Sequence, residues 1–521
     1  MADSSAAVTN APPGTAAPSP AAPATTARKT EIDAYDVDGN TVLDRDVIEE
    51  AVYPFLGPDR SKEDVESARV ALEKAYQAHG YQSVVVEIPP QVVKEGIVKL
   101  HVIEAPVGRL RVVGSRYYSL SELKSEVPSL KEGTVPDFNQ AQEEIADANR
   151  LPGRRVTPLL KPGTIPGTVD VDLKVTDVNP LHASIELDND HSPNTANLRT
   201  TETARDDDFL LTGNSISLTV SLAPQRISDA LVVAASDLVP VWGSPWNILV
   251  FGYDSNSNVA TLGGTSVLGK GFSVGTRGVL QLPSFGDFSH TFSFGVDFKQ
   301  FLETLTLAGA TSGSVVDYTP LTASYSLQET TSNSAFASTA SLTLGLRGLG
   351  SGVAVIDEKR AFARGNFIRF NLDASETYSF WQDFQLFGRV SGQATDSPLI
   401  SSEQFAAGGL TSVRGYLQSE VVGDFGAIES AELRSPSVSR FVGSFPDEWR
   451  FFIFGDSAQL SLLQPLADQT GSYKLASSGL GTRMTAFDTL SGQILIGVPF
   501  ISGPTTKAYQ PYTEFSVKAE F

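Results

Sequence analysis

The chain has 521 residues, too many for one ordinary domain, and 41% of them are hydrophobic, enough for folded cores. A net charge of −21 argues against duplex nucleic acid as a partner. The absence of cysteine excludes disulfides, thiolate metal sites and thiol catalysis.

Residues 1–29 are mostly Ala, Pro, Ser and Thr, a composition that cannot bury enough apolar surface to fold, so a disordered or extended linker is expected there. The segment also lacks the apolar core of a secretory signal. The rest of the chain favours a signal that has been removed.

Residues 30–105 predict a first β-α-α-β-β module. A strand over 32–37 leads into a turn at Asp38-Gly39-Asn40, followed by a short helix over 45–55. Ser61 caps a longer helix, with Asp64 placed to complete the cap. Val65, Ala68, Leu72, Ala75 and Tyr76 share one helical face, and Gly80 ends the helix. Strands over 83–88 and 97–103 close the module. Asp36-Val37-Asp38-Gly39-Asn40 fails the register of a calcium loop and reads as a turn.

Residues 106–178 repeat the order: a strand over 109–113, helices over 121–127 and 139–149, and strands over 156–160 and 169–175. Val169, Val171, Leu173 and Val175 alternate with Asp170, Asp172 and Lys174. Two copies of one small unit in tandem predict a modular arm.

Helical periodicity ends near Asn179-Pro180. From His182 onward, about sixteen alternating segments of ~9–11 residues recur. Phe292, Phe294, Val296 and Phe298 alternate with Ser293, Gly295, Asp297 and Lys299. Ile368, Phe370 and Leu372 alternate with Arg369, Asn371 and Asp373. Successive strand side chains point to opposite faces, so one face is apolar and the other carries full charges far from any turn. A soluble sandwich also alternates, but long Phe- and Leu-rich faces opposite charged ones fit a membrane barrel with lipid outside and a wet lumen inside. The final strand places Thr513, Phe515, Val517, Ala519 and Phe521 on one side, with Phe521 as the last residue.

No chemistry announces itself. The five histidines are scattered without metal-ligand spacing. No phosphate-binding glycine loop with its lysine is present, and no nucleophile is set beside a base. No catalytic residue, metal or cofactor is therefore expected. The sharpest feature is the segment from Gly408 to Tyr416, expected to be a loop over 408–421 folded back into the barrel with Arg414 at its tip. A guanidinium in a lumen calls for a fixed carboxylate. Phe452, Phe454 and Asp456 share a strand face and would supply one if that face points inward.

Val413-Arg414-Gly415-Tyr416 resembles the loop-tip signature of the outer-membrane assembly and two-partner secretion superfamily. The strand around Phe454-Gly455-Asp456 is similar to its second motif. The 42 positions from Arg414 to Asp456 match the family spacing. The tandem modules resemble the family's polypeptide-transport-associated (POTRA) repeats, with residues 37–43 similar to the opening of the first. A count of two modules points to the two-partner secretion branch, of the haemolysin and filamentous-adhesin type. The resemblance implies two periplasmic α+β POTRA domains (30–105 and 106–178) and a 16-stranded antiparallel outer-membrane β-barrel (179–521). It implies a loop-tip set Val413, Arg414, Gly415 and Tyr416, held by Phe454 and Asp456 on the wall, and Phe521 as the terminal membrane-assembly signature. The implied activity is export of an unfolded exoprotein without nucleotide hydrolysis. The implied partners are a large adhesin- or haemolysin-like exoprotein with an N-terminal secretion domain, outer-membrane lipid, and the barrel-assembly machinery during biogenesis. The alternative is a factor that assembles other barrels. A reciprocal exchange, Arg414→Asp with Asp456→Arg, is expected to restore part of what either change removes. Two features depart from the family. Ala458 stands where Gly is frequent, and residues 1–29 show no helical pattern for the plug helix that many members carry.

Overall fold

A computed structural model describes residues 29–149, 153–257, 259–262, 265–307, 310–443 and 445–521. The linker expected over 1–29, apart from Lys29, lies outside them, as does any plug helix there. The chain divides into two compact units, one holding the α/β modules and the other the barrel. Residues 116–118, 149 and 153–155, expected within the second module, group with the barrel unit.

The first module contains β1 (Ala34–Asp38), α1 (Arg45–Val52), α2 (Lys62–Ala78), β2 (Val84–Glu87) and β3 (Ile97–Glu104). β3 is central, parallel to β1 and antiparallel to β2. The cap predicted for α2 is a full capping box: the Asp64 backbone N–H donates to Ser61 Oγ, and the Ser61 backbone N–H donates to Asp64. Ala68, Leu72 and Tyr76 of the predicted apolar face are buried. Leu72 and Tyr76 join Ile48, Val52, Val84, Val86, Leu100 and Val102 in one core. Glu104 accepts from the backbone N–H groups of Thr41 and Val42 at 2.8 and 3.2 Å, fixing the segment after the Asp38-Gly39-Asn40 turn. Gly39 is required there, since its φ is +84° and a Cβ would lie 2.2 Å from Val102 O. The strand expected over 32–37 is split, because Ile32 pairs instead with Gly57 in a separate two-stranded ribbon.

The second module repeats the plan with β4 (Val107–Val113), α3 (Leu120–Ser125), α4 (Phe138–Ala148), β5 (Arg154–Pro162) and β6 (Val169–Asp177). β6 is central and parallel to β4. Val171, Leu173 and Val175 are buried as their alternation predicts. Asp172, on the opposite face, is also covered. Arg111 donates to it through Nε and Nη2 at 2.8 Å each, and Lys161 Nζ at 2.5 Å.

Sixteen antiparallel strands then close into a barrel in sequence order. They are β7 (Leu181–Asp188), β8 (Arg199–Phe209), β9 (Asn214–Leu222), β10 (Leu231–Pro240), β11 (Trp246–Ser255), β12 (Lys270–Phe285), β13 (Phe288–Leu307), β14 (Ala310–Thr330), β15 (Ser334–Gly350), β16 (Ile368–Phe380), β17 (Phe384–Thr395), β18 (Phe425–Arg434), β19 (Glu448–Ser461), β20 (Ser472–Ala486), β21 (Leu490–Pro499) and β22 (Tyr512–Glu520). β22 closes on β7 from Ser516↔Asp188 to Glu520↔Ser184. The Phe521 backbone continues this seam, donating to Ala183 O at 2.8 Å and accepting from Ala183 N at 3.0 Å. Closure leaves no unpaired edge in lipid. Among the described residues no helix is long and apolar enough to cross a membrane.

The faces fall as the alternation requires. Phe294 and Phe298 are exposed on the outer wall, while Asp297 between them is buried and paired with Arg277. Exposed aromatics gather at the end where β7 begins, among them Trp242, Phe285, Trp381, Phe445 and Phe487, as an interfacial girdle does. Two expectations need correction. β12 to β15 have 16, 20, 21 and 17 residues rather than about ten. A tilted strand crosses the bilayer in ~9–11 residues, so these project beyond it on the far side. Nor is the barrel purely strand and turn, since the loop after β15 carries α5 (Val353–Lys359) and the turn after β18 carries α6 (Ser439–Val442).

Candidate functional site: the inward loop

The loop between β17 and β18 spans residues 396–424 and turns into the barrel. Its two limbs pair briefly, Phe405–Ala407 against Val421–Gly423. Between them the tip bends back on itself. The Gly408 N–H donates to Ser412 Oγ at 2.8 Å, and the Gly409 N–H donates to Val413 O at 3.2 Å. These bonds compact the tip and project Arg414.

β19 supplies the wall. Phe452, Phe454 and Asp456 are 3%, 5% and 4% exposed, whereas Phe451 and Ile453, on the alternate positions of the strand, are 48% and 58% exposed. The shared face therefore points inward. Arg414 donates to Asp456 through Nε at 2.8 Å and Nη2 at 2.7 Å, a bidentate pair. Its backbone N–H donates to the same carboxylate at 3.0 Å. Its Cζ lies 3.8 Å from the Phe454 ring centroid, so that aromatic serves as a cation–π floor.

Sequence reasoning missed three groups here. Glu432 of β18 takes Arg414 Nη1 and also accepts from Arg434 Nε at 2.8 Å. Ser430 Oγ accepts from Arg414 Nη2 at 3.1 Å and donates to Asp456 at 2.7 Å. Glu514 of the closing strand accepts the Gly415 N–H at 2.8 Å. Glu432 and Glu514 each sit on the polar side of an alternating strand, so the available signal was a face, not a partner.

The other tip residues have distinct tasks. Gly415 has φ +87° and packs against Gly497 of β21, where a Cβ on Gly497 would lie 2.7 Å from Gly415 Cα. Two backbones meet there, and neither residue can gain a side chain without moving the other. Tyr416 is buried, and its hydroxyl donates to Ile501 O at 2.7 Å and Ala476 O at 3.0 Å. Val413 and Tyr416 join Ala407, Val421, Ile428, Ala458, Leu460 and Leu475 in an apolar core inside the lumen. The inner wall is thus not uniformly polar, because β18 to β20 are dressed to receive a loop rather than water. Phe521 is 72% exposed and meets Ala183 through its backbone at the girdle end of the seam.

The tip is a cation held in a cradle of carboxylates with little solvent contact. Such a pair is not a strong source of net stability, but removing one partner strands the other and is costly. The arrangement therefore specifies one seated position of the loop.

A POTRA domain model of the ShlB type matches residues 30–105. The model of the haemolysin secretion/activation proteins ShlB/FhaC/HecB matches residues 314–484, which include both Arg414 and Asp456. Among solved structures, CdiB from Escherichia coli is 18% identical with a TM-score of 0.58, covering 96% of this chain and 93% of that one. CdiB from Acinetobacter baumannii is 15% identical with a TM-score of 0.56, covering 95% and 90%. BamA from Haemophilus ducreyi lacking POTRA domains 1–3 is 14% identical with a TM-score of 0.55, covering 95% and 100%. At these identities the structures share a fold. No curated protein sequence matches the chain at a significant level. The two family models and the closed sixteen-stranded barrel identify an outer-membrane protein translocator with its POTRA domains in the periplasm and its barrel in the outer membrane, similar over residues 30–105 and 314–484 to the haemolysin secretion/activation proteins ShlB/FhaC/HecB.

Proposed function

We propose that the chain exports one large adhesin- or haemolysin-like exoprotein, delivered unfolded to the periplasm with an N-terminal secretion domain. The observation that carries this reading is the seated loop: a single arginine, Arg414, shared by Asp456 and Glu432 inside the barrel. A buried pair of this kind gives the loop two discrete states, seated and released, and a released loop vacates the lumen for a polypeptide. The POTRA sheets would capture the exoprotein by strand addition. β1 and β2 are edges of the first sheet and β4 and β5 of the second. β5 carries exposed Leu159 and Leu160. The cargo then threads the barrel as an extended hairpin, and folding at the surface supplies direction without nucleotide hydrolysis. Outer-membrane lipid surrounds the barrel, and the barrel-assembly machinery inserts it during biogenesis.

The test is secretion by cells expressing Asp456→Arg at normal barrel levels, read as heat-modifiable gel migration. Export of the partner should stop while the barrel still inserts. Normal export by Asp456→Arg would remove the pair from the mechanism. A second reading, assembly of other barrels, is favoured by the full coverage of the BamA structure. Deleting the gene separates the two: a dedicated exporter costs the cell one secreted protein, whereas an assembly factor depletes many outer-membrane proteins.

A further inference from the structure

The tip of the inward loop leaves two buried carboxylates in the lumen unexplained. Glu403 and Asp424 are both 0% exposed. They lie at the neck of the loop, one on each limb, and neither touches Arg414, Asp456 or Glu432.

Glu403 is anchored to the wall formed by β13, β14 and β16. It accepts from Lys299 Nζ at 2.7 Å and Tyr318 OH at 2.6 Å, and it pairs with Arg369. Asp424 is anchored elsewhere. It accepts from the Leu463 N–H at 2.7 Å, on the loop after β19, and from Arg360 Nη2 at 3.3 Å. Its other oxygen accepts from the Leu399 N–H and from Gln404 Nε2, each at 3.0 Å, which tie it to the opposite limb. Gln393 of β17 bridges the limbs, donating to Glu403 O at 3.2 Å and Asp424 O at 2.9 Å.

Arg360 belongs to the loop after β15, which carries α5. It also donates to Leu463 O at 2.9 Å. Ile356 and Ala363 of that loop are buried with Phe301 and Val316 of the wall and Ile400 of the descending limb. The loop is thus folded inward, seated on β13 and β14 at one end and stapled through Arg360 to the loop after β19 at the other. Glu403 is thus held by β13, β14 and β16 and Asp424 by the loops after β15 and β19, whereas the Arg414 side chain is held by β18 and β19.

We propose that Glu403 and Asp424 form a second latch, separate from the Arg414 tip, which holds the α5 loop across the far mouth of the pore and sets its resting closure. The two carboxylates are positioning residues. Each is satisfied by groups on a different body, so opening the mouth must part buried charges together, which makes the closed state discrete. A chain rising from the periplasm would release the tip first and the neck second. The inference rests on reading the lumen as a pore.

The test is conductance of the purified full-length protein in planar bilayers. Glu403→Gln strands Lys299 and Arg369, and Arg360→Ala removes the staple but leaves Asp424 its backbone donors. Breaking a buried pair on one side corresponds to an open-to-closed ratio raised by on the order of a hundredfold, and Arg360→Ala should move in the same direction by less. In the cysteine-free chain, a Val413→Cys reporter should stay protected from maleimide in both variants, because the tip remains seated. Heat-modifiable migration identifies a variant that has failed to fold, and Arg360→Ala then carries the test. Wild-type conductance in folded Arg360→Ala overturns the proposal, and so does deprotection of the reporter together with opening, which would make neck and tip one latch. Conductance is read without cargo, so this result is independent of whether the chain exports protein.

Discussion

Reciprocal exchange of the central pair is the perturbation on which the sequence and the structure disagree. From the sequence, Arg414→Asp with Asp456→Arg rebuilds one ion pair and restores part of the function. The structure gives Arg414 a second carboxylate, Glu432, and a cation–π floor, Phe454. Asp456→Arg alone sets two guanidinium groups against each other and breaks a buried pair, at a cost of ~3–5 kcal/mol. The exchange recovers that pair but leaves an aspartate at 414 beside Glu432. Two like charges about 4 Å apart at an effective dielectric of about 20 repel by about 4 kcal/mol, which cancels the gain. The lost cation–π contact adds about 1 kcal/mol. The backbone N–H of residue 414, which donates to Asp456 at 3.0 Å, loses its acceptor as well. The exchange alone should therefore leave export absent and the Val413→Cys reporter exposed, and adding Glu432→Gln should restore both in part. The assay is partner protein in the medium, normalised to heat-modifiable barrel in the outer membrane. Restoration to the wild-type level by the exchange with Glu432 intact would refute a shared guanidinium.

Gly415→Ala should seat the tip poorly, because a positive φ and the Gly497 backbone both oppose a side chain; a cost of ~1–3 kcal/mol should appear as reduced export at unchanged barrel insertion. Leu72→Ala, at the centre of the first POTRA core, should lower its unfolding free energy by ~2–5 kcal/mol, read as earlier proteolysis of the periplasmic unit. In the second module, hydrogen bonds from Arg111 and Lys161 hold the Asp172 carboxyl below the usual carboxylate range. A depressed folded value means the stabilisation is complete above the unfolded value of about 4 and is lost as pH falls from there toward the folded one. Urea unfolding of the periplasmic unit should weaken over that acid range, and Asp172→Asn should flatten the dependence. Phe521→Ala should slow appearance of the heat-modifiable form in the outer membrane while leaving export per inserted barrel unchanged, since Phe521 contacts the seam through its backbone.

Much of the fold was legible because its signals are local. A period of two separates an outer face from an inner one without knowledge of any partner strand, and it located Phe294, Asp297 and Phe298 correctly. The Ser61 cap and the apolar face of α2 are equally local, since each lies within a few turns of one helix. Strand length was not legible. The alternation of β13 is interrupted at Gln300-Phe301, where Phe301 is buried, yet the strand runs on to Leu307 because pairing with β12 and β14 sets its length.

The candidate site divides the same way. The sequence by itself determined that Arg414 required a carboxylate and that Asp456 lay on a face able to offer one, because charge in a closed lumen must be matched. Only the tertiary structure decided that Glu432, 18 positions away, shares the guanidinium, and that Glu514, 99 positions from Gly415, holds the tip to the closing strand. It also decided that Glu403 anchors the neck on another part of the wall and Asp424 on the loops after β15 and β19. These partners are set by the register between strands and by the path of a loop through the lumen. Alternation specifies which face a residue occupies, and register specifies what it meets.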